Sequence, residues 1–510
     1  MSAIIAVLNK HNENATEKAV TMLKALKTKT IETFGIASPT AVKIEKTFEA
    51  LQNQNMNSHI IIGQAFSKVI ASDNPQPIKL ENATLVFDGR IYPPTQRGAF
   101  PEKIAKKLQT NYEENIEELV KGVEGDFVFA VAEPERISSG RDPMGARPLY
   151  YGENVNFSAL ASIRKALWKI GIKKPYSFPP GHLAYIDNGG FKFKRAKIFE
   201  CPKPKQITMQ TAIKKLQNLL EHSVQERVLG LKEVAVAFSG GLDSSIIAFL
   251  AKKSKANVHL IHVSLESQTE TETAKLAAEE LELPIHVYLF KEGNLEGIVP
   301  KIVELIEEPD PIKTSIGIPM YWAAEKTAEM GLKVLLAGQG ADELFGGYKR
   351  YVDKYLTYGI AKTEKIIFDD IAELHKTNLE RDFKICNFHG VELRLPFATY
   401  KITKFAKGLP LELKIERRQN SLRKLVLRQT AENLGLSQFV AQKPKRAIQY
   451  ATGTDKTLKK LAKKQETSLK EYLKKIFGRI RIETMQDCGT KIGKEGSRGS
   501  RETLEEQSDL

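Results

Sequence analysis

The run "EVAVAFSGGLDSSIIAFL", Glu233 to Leu250, decides how the chain folds. Val234 to Phe238 make a buried strand, Gly240 and Gly241 permit a turn with unusual dihedrals, and Asp243, Ser244 and Ser245 open an apolar helix. Such a turn is built to receive phosphate. Successive backbone N–H groups and the positive end of the helix dipole face it, and Ser239, Ser244 and Ser245 can donate hydroxyl hydrogen bonds. The Gly-Lys-Ser/Thr ending of kinase-type phosphate loops is absent, so nothing here reaches for a transferring γ-phosphate. A different cleavage of a polyphosphate is implied.

The text on either side sets the architecture. Downstream, "NVHLIHV" (Asn257 to Val263) and "ETETAKLAAEEL" (Glu270 to Leu281) continue a strand and helix alternation that predicts βαβ units on a parallel sheet. From about Met320 helical patterns dominate. Upstream, "FECPKPKQ" (Phe199 to Gln206) reads as a linker. Before it, "AIIAVL" (Ala3 to Leu8), "HIIIG" (His59 to Gly63), "ATLVFDGRIY" (Ala83 to Tyr92) and "GDFVFAVAE" (Gly125 to Glu133) read as strands. Ala19, Met22, Leu23 and Leu26, like Ile104, Ala105 and Leu108, follow helical spacing. The expected units are a sheet-rich α+β layer domain over 1–200, an α/β domain over 205–477, and a disordered tail over 478–510 ending "GKEGSRGSRETLEEQSDL". There is no internal repeat.

Composition narrows the class. The 510 residues suggest two large domains, and 42% hydrophobic with 27% charged residues is ordinary for a globular protein. Lys+Arg of 77 against Asp+Glu of 62 gives a net +15, but the lysines are scattered along helices and form no aromatic-interleaved patch. Solvated surfaces are therefore expected, with no nucleic acid or membrane partner. The three cysteines, Cys201, Cys386 and Cys488, lie too far apart to suggest a disulfide framework or a zinc site. No apolar run approaches the ~20 residues of a membrane span, and Lys10 comes too early for a signal peptide. A cytoplasmic protein is expected. The lysine-rich stretch with Leu458, Leu461, Leu469, Leu473 and Ile476 predicts an amphipathic helix packed on the second domain.

SGGLDSS behind its apolar strand resembles the PP-loop of the ATP pyrophosphatases, which cut ATP between the α- and β-phosphates. "VLLAGQGADELFGGYKRY" (Val334 to Tyr351), "NFHGVELRLPF" (Asn387 to Phe397) and "QKPKRAIQY" (Gln442 to Tyr450) resemble, in order and spacing, the synthetase domain of glutamine-dependent asparagine synthetases. "FDGRIY" (Phe87 to Tyr92) and "GRDPMGARPLYYG" (Gly140 to Gly152) resemble that family's glutaminase domain. The resemblance runs from residue 1 to about residue 475. It implies an N-terminal Ntn-hydrolase-like α/β/β/α sandwich followed by a PP-loop parallel-sheet domain with a helical C-terminal part. It further implies a ligase that adenylates the aspartate side-chain carboxylate with ATP and Mg²⁺ and amidates it with ammonia, releasing AMP and pyrophosphate. A homodimer and a separate ammonia-supplying partner are left open.

The resemblance also assigns roles. Ser239, Gly240, Gly241, Asp243, Ser244 and Ser245 match the pyrophosphate loop, and Asp243 and Asp342 match acids associated with magnesium. Ala237, Val263 and Gly338 fall where adenine is contacted. Lys445 matches a lysine that stabilises charge on the α-phosphate. Arg381 and Arg394 match arginines on the substrate side, where a dicarboxylate needs cationic forks. Where many relatives have glutamate, this chain has Gln339, whose amide cannot serve as a base for incoming ammonium.

The first domain departs further. The family's nucleophilic cysteine is Ser2, and a hydroxyl is harder to ionise than a thiol of pKa near ~8.5. The asparagine of the oxyanion stretch is Asp88, before Gly89, and an ionised carboxylate repels a developing oxyanion. "GQAFS" (Gly63 to Ser67) offers no cation to clamp a glutamine carboxylate. The expectation is a retained scaffold with a degenerate glutaminase site. Three other readings are weighed: a β-lactam synthetase-like cyclase, an RNA-modifying PP-loop enzyme, disfavoured because no cysteine lies near the loop, and a non-catalytic regulatory relative, disfavoured by the intact loop, Asp342 and Lys445.

Overall fold

The computed structural model describes residues 2–92, 100–108, 112–200, 206–266, 268–444 and 446–486. Its first strand, Ser2–Asn9, is buried along its whole length. Side chains alternate across a strand, so its two faces build two different layers. Ile4, Ala6 and Leu8 meet Val86, Val128, Ala130 and Ala184 of a second sheet. Ala3, Ile5 and Val7 meet Ala19, Met22 and Leu23 of the helix Thr16–Leu26. The strand sits inside a seven-stranded antiparallel sheet, between Ile60–Phe66 and Phe157–Ala161.

The facing sheet has six strands and includes Thr84–Tyr92 paired with Glu124–Ala132. Its outer face carries Leu85, Phe87, Phe127 and Phe129, which Ile104, Ala105, Leu108 and Ile116 cover from the helices Phe100–Leu108 and Tyr112–Gly122. Helix, sheet, sheet and helix are stacked as the expected α/β/β/α sandwich.

After the helix Met209–Val228 comes a five-stranded parallel sheet in the order Ile285–Phe290, Asn257–Leu265, Glu233–Ala237, Val334–Leu336, Glu392–Arg394. Val234 and Val236 pack into one apolar cluster with the helix Leu242–Lys253. Ala235 packs into another with the helices Asn294–Ile306 and Pro311–Glu329. Burial on both faces is what an all-parallel sheet requires. From Glu233–Ala237 the chain winds outward to one edge, then returns to the other side through Val334–Leu336. The strand order reverses there, at a topological switch point whose carboxyl ends open a crevice.

The lysine-rich stretch forms two helices where one was expected, Thr454–Lys464 and Leu469–Gln486. Glu466 takes a φ of 52° and the Ser468 hydroxyl accepts the Glu471 N–H at 3.2 Å, so a cap restarts the helix. Leu458, Leu461 and Leu473 are buried in the domain core. The second helix continues through Gly478 to Gln486, beyond the end that composition sets for the domain. Among the described residues no helix is long and apolar enough to cross a membrane.

Buried carboxylates join the two halves. Glu392, on the last parallel strand, accepts from Arg90 Nε at 2.9 Å and from Arg394 Nε at 2.6 Å. Glu380 accepts from Tyr150 Oη at 2.7 Å and from Arg141 Nη2 at 3.2 Å. Glu307 accepts the backbone N–H groups of Arg164 and Lys165. Burial works against the Glu380 anion, yet Arg141, His375 and Arg164 hold its pKa at about 2. Because that value lies below the unfolded one, the stabilisation is present above pH 4.5 and is lost as pH falls toward 2. A shift of that size corresponds to about 3 kcal/mol. Urea denaturation of the Glu380→Gln variant should therefore show a loss of about 3 kcal/mol at neutral pH, with a flatter fall in stability between pH 4.5 and 2 than in the parent.

Candidate functional site

The crevice at the switch point is a cleft of 1260 Å³ whose walls include Ala237, Val263, Met320, Gly338 and Arg446. At its floor the chain leaves Glu233–Ala237 through Phe238 and Ser239 and enters the helix Leu242–Lys253 with Gly241 as N-cap and no side-chain cap. The first-turn N–H groups therefore remain available to a ligand. Gly240 has φ of 61°, and a Cβ on it would lie 2.7 Å from Ala274 Cα, so only glycine fits. The Ser244 hydroxyl donates to the Gly241 carbonyl at 3.1 Å, and Ser239 Oγ accepts the Gly241 N–H at 3.3 Å, which shapes the turn from within.

Three segments converge beside this loop. Lys424, buried and left-handed with φ of 63°, stands before the helix Leu425–Leu434. Its Nζ lies 2.8 and 2.7 Å from the two Asp243 oxygens and 2.7 Å from Asp342 Oδ1. Asp342 comes from the short helix Ala341–Phe345, which follows the strand Val334–Leu336 and a turn at Gly338 to Gly340. A Cβ on Gly347 would overlap the Asp342 carboxylate and the Lys424 side chain, so glycine is required there as well.

More cations surround the loop. Lys443 Nζ donates to the Gly240 carbonyl at 3.0 Å, and burial pulls the Lys443 pKa down. Arg446 pairs with Glu270, and Arg428 donates to the Ala441 and Lys443 carbonyls, which anchors the strap that crosses the loop. Positive charge and free backbone N–H groups at one end, and the apolar walls Ile261, Val263, Pro319 and Met320 at the other, suit a polyphosphate joined to a flat hydrophobic group.

At a further part of the cleft wall Gln339 donates its amide to Asp382 Oδ2 at 2.9 Å. Arg381 forks onto the same carboxylate, Nε to Oδ1 at 2.7 Å and Nη2 to Oδ2 at 2.9 Å. Glu343, buried, accepts from the Tyr348 hydroxyl at 2.5 Å and from the Asn378 amide at 2.8 Å.

Ser239, Asp243, Ser244, Ala237, Val263, Gly338, Gln339, Asp342 and Arg381 all line this cleft. Ser245 does not: one helix position past Ser244 it turns inward, fully buried, and its hydroxyl has no partner among the described residues. Arg394 does not either. It shares a strand face with Glu392 and is engaged by that carboxylate and by the Arg227 carbonyl at the domain junction. Lys445 lies outside the described residues. Sequence reading passed over Lys424, Lys443, Arg446 and Glu343; Lys443, Arg446 and Glu343 stand inside quoted motifs, while no local pattern marks Lys424.

Ser2 and Asp88, the first-domain residues singled out by the sequence, border a second cavity of 970 Å³ at the domain junction, where Phe383 and Lys384 also line it. Gly89 follows with φ of 137° against Asp126. Gln64 is used internally, donating to the Phe87 carbonyl at 3.1 Å and accepting the Gln76 N–H at 3.0 Å. Burial pushes the Asp88 carboxyl up while Arg147, 3.9 Å away, pulls it down. Arg147 also lines this cavity, its guanidinium between Asp88 and Asp126 and over the Phe383 ring at 4.8 Å.

Residues 215–362 and 356–498 match the family model for asparagine synthase, and residues 65–169 match that for a glutamine amidotransferase domain. The chain is 30% identical to the "putative asparagine synthetase (glutamine-hydrolyzing) 1" of Methanocaldococcus jannaschii, over 92% of this chain and 97% of that one. It is 26% identical to the "probable asparagine synthetase (glutamine-hydrolyzing)" of Dictyostelium discoideum, over 63% of this chain and 61% of that one. A solved glutamine phosphoribosylpyrophosphate amidotransferase from B. subtilis superposes with a TM-score of 0.32 at 14% identity, covering 56% of this chain and 65% of that one.

Replacing Lys424 with Met leaves two adjoining carboxylates without their shared cation. Urea denaturation should show a loss of about 3 kcal/mol or more, and calorimetric titration with ATP should show affinity reduced at least tenfold.

Proposed function

This chain belongs to the asparagine synthase family, and we propose that it adenylates the side-chain carboxylate of aspartate with ATP and amidates it with ammonia, releasing asparagine, AMP and pyrophosphate. The observation that carries this reading is the uncapped loop Ser239 to Ser244 beside Lys424, Asp243 and Asp342, at the carboxyl end of the central parallel strands. Adenine would lie against Ala237, Val263, Gly338 and Met320. The loop N–H groups, Lys443 and Arg446 would hold the β- and γ-phosphates, which leave together as pyrophosphate. Lys445, by its motif, would answer the charge on the α-phosphate.

Two carboxylates converging on one ammonium form a hard-oxygen donor pair, so Asp243 and Asp342 fit Mg²⁺. No set of three or more acidic, histidine or cysteine ligands occurs among the described residues, so phosphate oxygens and water would complete the shell. When bound, the ion supplies charge neutralisation for the pyrophosphate. Arg381 fixes Asp382 and Gln339 at the substrate end and has no free fork of its own. That engagement, with Arg394 outside the cleft, favours a second reading: the same chemistry on an acid other than aspartate, β-lactam synthetase-like substrates included.

The first domain, residues 1–200, would act as a scaffold without glutaminase activity, and nitrogen would come from free or partner-supplied ammonia. Asp88 stands where the resemblance expects an oxyanion-binding asparagine, and Arg147 is committed to Asp88 and Asp126.

Product analysis tests the reading. AMP and pyrophosphate should appear, with ammonium supporting synthesis increasingly at higher pH as free NH₃ grows; ADP as product would exclude the assignment. Lys445→Ala should slow adenylation about a hundredfold, the effect of one lost transition-state donor, with ATP binding largely kept. Glutamine should yield no glutamate, in the parent or in Ser2→Ala, and a glutamate release that vanishes with the hydroxyl would establish Ser2 as a nucleophile. An acid panel assayed for AMP release separates aspartate from the second reading.

A further inference from the structure

In the helix Lys349–Ala372, Ala361, Glu364, Ile367, Phe368 and Ile371 recur at helical spacing, so one face carries them all. That face does not close fully against its neighbours. Opposite it stand Lys407 and Leu409, at the end of the helix Tyr400–Lys407, then Leu411 and Lys414 around the short turn Leu411–Leu413, and a cavity of 630 Å³ is left between the two walls. No residue lines both this cavity and the cleft at the switch point.

Lys414 sets this cavity apart. The residue is only 4% exposed, yet its ammonium has no hydrogen bond and no ion pair among the described residues. Elsewhere in the domain buried lysines are answered: Lys424 by Asp243 and Asp342, and Lys384 by Glu307 and the Ile306 carbonyl. Glu364 lines the cavity too, but it accepts the Leu411 N–H and acts on Lys414 without an ion pair. Burial pulls the Lys414 pKa down to about 8, with Glu364 opposing the fall and Lys407 adding to it. At neutral pH the group is therefore a buried cation without a counter-ion. Such a charge costs the fold stability unless something pairs with it.

We propose that this cavity is a binding site for an amphiphilic monocarboxylate, its carboxylate on Lys414 and its apolar body along Ile367, Phe368, Ile371, Leu409 and Leu411. The unmet group is a donor, so the ligand must bring an acceptor, and a charged donor in an apolar setting favours an anion. A phosphate dianion fits less well, because Glu364 in the same cavity repels the second charge. The walls decide the rest. Ile367, Ile371, Leu409 and Leu411 are buried side chains with no polar group to offer, and the volume falls within the range of about 300–1,000 Å³ typical of small organic ligands. Lys407, whose ammonium lies 4.0 Å from the centre of the Phe368 ring, brings further positive potential to the apolar wall. A medium-chain fatty acid or an aryl-alkanoic acid has this chemistry.

Calorimetric titration of the full chain with octanoate tests the site. Octanoate should bind one to one, with octanol and octylamine at least tenfold weaker. Lys414→Met keeps the length of the side chain and removes its charge, so octanoate should weaken on the order of ten- to a hundredfold, the effect of one lost charge-assisted hydrogen bond. Absence of octanoate binding, octanol binding as tightly as octanoate, or parental affinity in Lys414→Met overturns the proposal. Phe368→Trp retains Lys414 and places a fluorescent reporter in the wall, against the baseline of Trp168 and Trp322 in the parent. Its emission should change saturably with octanoate, at the affinity measured by calorimetry; an emission that does not move puts the ligand elsewhere and also overturns the site.

Discussion

The Lys424 ammonium between Asp243 and Asp342 is the contact on which the cleft depends. Two like charges about 4 Å apart repel by about 4 kcal/mol at an effective dielectric constant near 20, so the helix after the phosphate loop and the turn after Val334–Leu336 could not approach without it. The lysine reaches them from a third segment, in a left-handed backbone conformation that disfavours any residue with a side chain. Backbone strain accepted at this point holds a cation where phosphate charge and a divalent ion would otherwise have to organise two acids unaided.

The strand, turn and helix around Gly240 were legible because each part is local: apolar run, glycine turn, small polar opening. The four layers of the first domain were legible for the same reason, since Ile4, Ala6 and Leu8 alternate with Ala3, Ile5 and Val7. What escaped reading was set by distance along the chain. Nothing near Lys424 says that it will meet Asp243 and Asp342. Arg394 sits in a motif, but a period of two puts it on the same strand face as Glu392, and the nearer carboxylate captures it. Ser245 was grouped with Ser244, although a helix turns about 100° per residue and carries it into the core. Glu343 was overlooked beside the more evident Asp342.

The helix Glu380–Phe388 is a wall common to both cavities. Arg381 faces the cleft of the second domain, while Phe383 and Lys384 border the cavity that holds Ser2 and Asp88. Arg147 of the first domain covers the Phe383 ring, so side chains of one domain pack directly against the element that carries the other domain's Asp382. The two sites are thus adjoining rooms, and the helix between them is held from both sides.

The buried carboxylates at the junction bear on how far the second domain depends on the first. Glu380, Glu392 and Glu307 belong to the second domain, yet Arg141, Tyr150, Arg90 and the Arg164 and Lys165 backbone of the first domain supply many of their partners. A gene that dropped the first domain would uncover these anions beside the helix that shapes the cleft, with most of their donors gone. A domain whose side chains serve as the counter-charge of its neighbour is thus part of that neighbour's foundation, whatever chemistry Ser2 and Asp88 carry out in their own cavity.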